Sequence, residues 1–304
     1  MSNVIHKLPS DDRWFFARET IETLHRHGFE AYLVGGVVRD ILLGLGPKDY
    51  DIAASAKPEQ LLELFPQADK TGYHFGVLHI LKGKHEVQVA SFREDSPESD
   101  GRRPDEVTFS DLQGDAKRRD FTINAIYFDP VGMKTTDPHD GISDLNNRIL
   151  RFIGDPWQRI KEDHLRILRA VRFASRFDLT IEAASYEAIT ALANLAKLIS
   201  PDRLRDELTK SFTEGNPISC LEILHNTKII PILWDIFFRE EDLFQQIKDS
   251  FENVSSFDSV SAWKAFFRPW KRLDNWKNEI ENAMRRLNFP RKLKKMIYSE
   301  LQDC

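Results

Sequence analysis

Cysteine is nearly absent: the 304-residue chain holds two, Cys220 and Cys304. That scarcity excludes a disulfide scaffold and a cysteine-rich zinc site, and it fits a reducing compartment. Long apolar runs are also missing; none approaches the roughly 18 residues that a membrane span needs. The opening segment, Met1 to Ser10, has no apolar signal core, so the sequence predicts a cytoplasmic protein without a membrane partner. Charge of one sign does not dominate: 43 Lys and Arg against 48 Asp and Glu leave a net −5. A nucleic-acid partner would have to be met by local basic patches rather than by the average field. What remains is 41% hydrophobic and 30% charged with a mean hydropathy of −0.44, the balance of a globular chain of about two domains.

Pattern changes along the chain. Residues 13–28 read as an amphipathic helix stopped by Gly28, and Ala31 to Val34 as a buried strand. Residues 37–43 read as a short helix, 49–53 as a second strand and 60–65 as a helix. Residues 76–81 and 86–92 flank Lys82, Gly83 and Lys84 as a hairpin. After about residue 156 helical periods take over, at 157–176, 183–197, 201–213, 217–227, 240–251, 260–268, 273–287 and 290–302. The expected fold is α+β: a head with a small mixed β-sheet flanked by helices (1–155), then an all-helical neck (156–215) and body (216–304).

Two signals in the head point to chemistry. Gly35 and Gly36 lie between a strand and a helix start, where glycine allows close backbone approach and free N–H groups suit phosphate oxygens. Arg39 follows three residues after Gly36 and can add a cation. Asp49 and Asp51, two apart on the expected strand, would share one face. Two neighbouring carboxylates repel unless a cation sits between them, and Mg²⁺ suits carboxylate oxygens while leaving room for phosphates.

The arrangement Gly35-Gly36-Val-Val-Arg39-Asp40 followed by Asp49-Tyr-Asp51 resembles the nucleotidyltransferases of the DNA polymerase beta superfamily. Three later segments narrow the resemblance. Arg118-Arg-Asp-Phe-Thr-Ile-Asn-Ala125, the connector from Asp137 to Leu150, and Glu162-Asp-His-Leu-Arg-Ile-Leu-Arg-Ala170 are similar to motifs of the class II tRNA nucleotidyltransferases. That family holds the CCA-adding enzymes and the bacterial poly(A) polymerases, and the resemblance covers about residues 30–215.

The resemblance implies attack of an RNA 3′-hydroxyl on the α-phosphate of CTP or ATP, with Asp49 and Asp51 holding Mg²⁺. It places Arg119 and Asp120 on the sugar and a phosphate, beside the phosphate-binding candidates Gly36 and Arg39, with Asn124 as a buttress of the fold. It also implies a third carboxylate from a neighbouring strand, for which Glu86 is the candidate. On a helix turning about 100° per residue, Arg166, Arg169, Arg172 and Arg176 share a face, opposite Ile167, Leu168, Ala170, Val171 and Ala174. In the family, the counterparts of Asp163 and Arg166 read the base edge, and Arg169 and Arg172 lie toward base and phosphates. Arg203 and Arg205 are candidate RNA contacts, and the six cations among residues 285–295 can meet tRNA phosphates. Trp263, Trp270, Trp276, Phe266 and Phe267 read as core rather than as base-stacking platforms.

Several readings stay open at this level. The expected activity is untemplated addition of CCA to tRNA 3′ ends. Alternatives are addition of the terminal A alone, poly(A) synthesis, and a catalytically idle RNA-binding module. The long loop from Phe92 to Asp105 resembles the segment that switches specificity from C to A and argues against a CC-only enzyme. Poly(A) polymerases usually carry a Gly-Arg-Arg/Lys-Phe segment early in the neck, and none is present there. After His164 the sole histidine is His225, which excludes an appended histidine–aspartate phosphohydrolase domain within the sequence. No obligate protein partner is evident.

Overall fold

The computed structural model describes residues 8–94, 108–240, 242–254 and 258–302. The chain folds into two compact units, Met1–Asp155 and Pro156–Cys304.

The first unit opens with α1 (Asp12–Arg26), whose N-cap Asp11 accepts a hydrogen bond from the Trp14 amide at 2.9 Å. Trp14, Ala17, Ile21 and Leu24 repeat at helical spacing and are all buried. Then come β1 (Ala31–Val34), α2 (Gly36–Leu42), β2 (Asp51–Ala54), α3 (Pro58–Leu64) and the hairpin β3 (Val77–Lys82) and β4 (His85–Ser91). Gly83 makes the hairpin turn at φ 61°, a conformation that other side chains resist. Short strands β5 (Arg93–Glu94) and β6 (Thr108–Phe109) pair antiparallel. They are followed by α4 (Leu112–Arg118), β7 (Tyr127–Asp129), β8 (Lys134–Thr136), α5 (Gly141–Asn146) and β9 (Ile149–Leu150).

Six strands form one sheet in the order β3-β4-β2-β1-β7-β8. The β2–β4 pair is parallel and the others are antiparallel, so the sheet is mixed as expected. Alternation gives it two unlike faces. Ala31, Leu33, Ile52, Ala54, Leu78, Ile80, Val87 and Val89 pack with α1 and α2 in the main core. Val34, Ala53 and Tyr127 join Ala116 of α4 and Ile153 in a second, smaller cluster.

The second unit is helical: α6 (Pro156–Glu162), α7 (Arg166–Phe177), a short extended piece β10 (Thr180–Ile181), α8 (Ala183–Ala191), α9 (Pro201–Thr213) and α10 (Pro217–Asn226). Then follow α11 (Ile229–Leu233), α12 (Ile236–Arg239), α13 (Leu243–Glu252), α14 (Ser259–Phe267), α15 (Trp276–Arg286) and α16 (Arg291–Gln302). Its centre is aromatic. Phe212, Phe251, Trp263, Phe266, Phe267 and Trp270 are fully buried, and Trp263 meets Phe212 edge-on at 5.3 Å. Trp276 is only half-buried, with Lys277 over its ring. Cys220 lies buried beside Ser175 and Ser211, and burial pushes its thiol up to about 12.

Three expectations need correction. The strand expected at 49–53 starts at Asp51, so Asp49 stands outside it, exposed. Tyr50 explains the shift: its ring is buried and its hydroxyl donates to Asp11, which pulls the backbone between the two aspartates inward. The single helix expected at 157–176 is broken at residues 163–165, where Asp163 accepts from the Leu165 amide and ends the α6 ladder. Helices α11 and α12 were not expected; Pro231 sits inside the first and obscures its period.

Candidate active site

The site begins where β1 runs into Gly35. This residue has φ 75°, and an added Cβ would lie 3.4 Å from Arg119 Nη1. A side chain here would both strain the turn and press on the guanidinium, so the two motifs meet at this glycine. Arg119 is held from behind. Its Nε and Nη2 donate to Asp115 Oδ2 at 3.1 and 2.8 Å, its Nε also to the Tyr127 hydroxyl, and its Nη1 to the Asn124 carbonyl. Burial works against the charge on Arg119, but Asp115 and Tyr127 together outweigh it and the pKa is raised above its ordinary value.

A second chain of hydrogen bonds ties the glycine turn to the 120–124 segment. Arg39 donates to Asp40 Oδ1 and, through Nη1, to Asn124 Oδ1 at 2.6 Å. Asn124 Nδ2 donates to Asp120 Oδ1 at 3.0 Å, which also accepts from the Phe121 amide. Arg39, Asp40 and Asn124 are buried. The guanidinium of Arg39 thus braces the turn from inside the fold. Asn124 is the expected buttress.

Asp51 heads β2, partly buried, with exposed Asp49 beside it. Burial pushes the Asp51 carboxyl up from its ordinary value; Arg119 opposes the shift, Asp49 adds to it and His79 opposes it. Those four groups therefore share one electrostatic neighbourhood at the strand end. The preceding backbone is anchored by Arg13, whose Nη1 donates to the Lys48 carbonyl at 2.7 Å and whose guanidinium lies 5.7 Å from the Tyr50 ring centre.

Does this neighbourhood fit Mg²⁺? A desolvated carboxylate beside a second one is the arrangement that a divalent cation relieves. Hard oxygen donors from one or two carboxylates, completed by substrate phosphates, are the usual Mg²⁺ set. The donor set fits. Among the described residues, no group of three or more His, Cys, Asp or Glu gathers that could hold a metal ion by itself. The expected third carboxylate is not confirmed: Glu86 turns to His79, with 2.5 Å between its Oε1 and Nδ1.

In the second unit, the arginine face is engaged by acids. Arg166 is buried, its Nη1 donating to Glu162 Oε2 and to the Arg159 carbonyl, each at 2.8 Å. Asp163 Oδ2 accepts from Arg203 Nη2 at 2.9 Å. Arg169 lies over the Phe173 ring at 5.2 Å. Arg172 is buried against Glu207 at 2.5 Å, and Arg176 meets Glu214 at 3.0 Å. Arg172 therefore sits in an internal ion cluster. Arg205 is turned inward too, to Asp202, Asp206 and the Asn288 carbonyl. Of the basic run, Arg285, Arg291, Lys292 and Lys295 are exposed. Of the loop expected to switch specificity from C to A, residues 95 to 105 lie outside the described residues.

Sequence reasoning missed Asp115, Tyr127, His79 and Gln88. The first two are reached only through the fold, and the last two only through strand register.

Known proteins repeat this architecture. The Poly A polymerase head domain matches residues 31–151, and the probable RNA and SrmB-binding site of polymerase A matches residues 178–236. Poly(A) polymerase I of Haemophilus influenzae is 38% identical over 247 residues, which cover 76% of this chain and 54% of that protein. The CCA-adding enzyme of Lactobacillus helveticus is 36% identical over 293 residues, covering 92% of this chain and 73% of that one. The chain thus spans about half of the former and about three quarters of the latter. The crystal structure of the Bacillus stearothermophilus CCA-adding enzyme in complex with CTP superposes with a TM-score of 0.76 at 28% identity, covering 97% of this chain and 70% of that one. Motif, fold and relatives agree, and the chain belongs to the class II tRNA nucleotidyltransferase family, which joins CCA-adding enzymes with bacterial poly(A) polymerases.

Proposed function

We propose that this chain adds nucleotides to the 3′ end of tRNA from CTP and ATP without a nucleic-acid template, completing the CCA end. The observation that carries the reading is the gathering of Asp49, Asp51, Arg119 and the Gly35–Gly36 turn at one end of the sheet. The 3′-hydroxyl oxygen of the RNA forms a bond to the α-phosphorus and gives up its proton to solvent, the bond to the bridging oxygen breaks, and pyrophosphate leaves. Bound Mg²⁺ supplies charge neutralisation on the phosphates and acidifies the attacking hydroxyl. Asp49 and Asp51 are the residues that would hold it.

This chain's own groups do the positioning that such transfers depend on. Arg119, locked by Asp115 and Tyr127, presents a cation of fixed direction to phosphate oxygens. Gly36 keeps the turn free of side chains, so that backbone can approach a phosphate closely. Arg39 and Asp120, linked through Asn124, hold that turn and the 120–124 segment in register. In the second unit, Asp163 and Arg166 form the proposed base reader, with Arg169 beside them. Asp163 offers acceptors and Arg166 donors, and Arg203 and Glu162 fix their directions. Arg172 acts from beneath, tying α7 to α9 through Glu207.

Similarity to the Haemophilus influenzae poly(A) polymerase supports a second reading, addition of A tails to RNA. One assay separates them. Full-length protein is given tRNA transcripts ending before CCA, after C and after CC, with Mg²⁺ and labelled CTP or ATP. Extension of all three transcripts to a defined CCA end is expected. Extension of the CC-ended transcript alone identifies an A-adding enzyme, and long A tails identify a poly(A) polymerase. No extension of any transcript would leave an idle RNA-binding module. Asp51→Asn is expected to lower incorporation at least about a hundredfold.

A further inference from the structure

Strand register identifies the group that stands next to Asp51. In the parallel pair β2–β4, Asp51 is opposite Gln88, and in the hairpin β3–β4, Gln88 is opposite His79. Asp51, Gln88 and His79 therefore form one row across three strands. The neighbours confirm which face the row occupies. Ile52, Val87, Val89, Leu78 and Ile80 all go to the main core, so the residues alternating with them point the other way. Strands stand about 4.8 Å apart, which puts the Gln88 amide alongside the Asp51 carboxylate. The backbone agrees: the Gln88 amide N–H donates at 3.3 Å to the carbonyl of Tyr50, the residue between the two aspartates.

Glu86 does not compete for this place. It lies two residues back along β4, about 6.6 Å at strand rise, and is bonded to His79 at 2.5 Å. Among the described residues, the Gln88 side chain is half-buried with no hydrogen-bond partner, so its carbonyl oxygen is available.

We infer that Gln88, and not Glu86, is the third protein group facing the Asp49–Asp51 metal position, so that this chain offers an incoming divalent ion two negative charges where a third carboxylate would give three. An amide carbonyl is a hard oxygen ligand but carries no charge, and affinity in oxygen-ligand sites follows the number of charged ligands. The free protein thus binds the ion weakly, and the phosphates of the incoming nucleotide supply the missing charge. Metal and triphosphate then load together. A site already saturated with metal would instead hold its ion in the absence of nucleotide.

This inference rests on the metal reading proposed above, and the test keeps the two apart. Binding of Mn²⁺ to the full chain, without nucleotide, is measured by the loss of free-ion paramagnetic resonance signal. Wild type, Gln88→Glu, Glu86→Gln and Asp51→Asn are compared, with far-UV circular dichroism to confirm that each is folded. Gln88→Glu is expected to bind Mn²⁺ about tenfold more tightly than wild type, whereas Glu86→Gln stays within about twofold. Tight binding in Gln88→Glu is also expected to vanish in the double variant with Asp51→Asn. Unchanged affinity in Gln88→Glu while Asp51→Asn loses binding would overturn the inference and leave the metal reading intact. A loss in Glu86→Gln equal to that in Asp51→Asn would overturn it as well, in favour of Glu86. Equal Mn²⁺ binding by wild type and Asp51→Asn would instead sink the metal reading itself.

Discussion

A carboxylate shut away from water is only as stable as its partners, and Asp115 has three. Its side chain is fully buried, Arg118 and Arg119 donate to it at 2.7 and 2.8 Å, and Tyr127 does so at 2.7 Å. Burial alone would raise its pKa, but Arg119 and Arg118 overcome this and hold it below the ordinary 3.8. A depressed carboxylate stabilises the fold above its unfolded pKa, and that share is lost as pH falls through the folded value. Asp115→Asn should therefore cost about 3 kcal/mol near neutral pH, and urea titrations should show the gap to wild type shrinking below about pH 4. A gap that stays constant into strong acid would contradict this account. Arg203→Ala removes the cation paired with Asp163 and should blur the choice between CTP and ATP severalfold in single-turnover assays, with the melting temperature nearly unchanged. At this scale, Asp49, Asp51 and Arg119 were legible because fixed local spacings carry them. Asp115 and Gln88 were not. Their importance comes from partners that only strand register and helix docking supply.

Elements were legible wherever one periodicity ran unbroken from cap to cap. Helix α1 and the β3–β4 hairpin are examples, the first framed by Asp11 and Gly28 and the second turned on Gly83. The interruption at 163–165 was not, because the apolar period passes through it without a gap and the break is made by a side chain accepting from the backbone amide two residues on. Helix α5 shows how closely elements can abut. A Cβ on Gly141 would meet the Thr122 carbonyl oxygen at 2.2 Å, and Thr122 is bound to Asp144 of the same helix at 2.7 Å. Gly141→Ala must push α5 off the 122–124 turn that carries Asn124. The expected cost is about 2–3 kcal/mol in denaturant unfolding, with incorporation reduced through the displaced turn. Unaltered stability would mean that α5 and the 122–124 turn do not abut this closely.

At the scale of the molecule, an α+β composition was legible from alternating patterns giving way to helical ones, and the structure has that composition. Strand order was not, because no local signal reveals that β2 pairs in parallel with β4, the second strand of the hairpin, rather than with the nearer β3. Each unit holds its own apolar cluster, one under the sheet and one around Trp263 and Phe266. Calorimetry should accordingly find an unfolding enthalpy larger than the van't Hoff value, because two cores need not melt together. A ratio of one would show a single cooperative block.

Cys220 gives the second unit a reporter of its own. Its thiol is sealed at the meeting of α7, α9 and α10 and is almost wholly protonated at neutral pH. Thiol-specific reagents will pass it by until those helices part. The rate at which Cys220 becomes alkylated therefore times the opening of that region, with no residue changed beforehand.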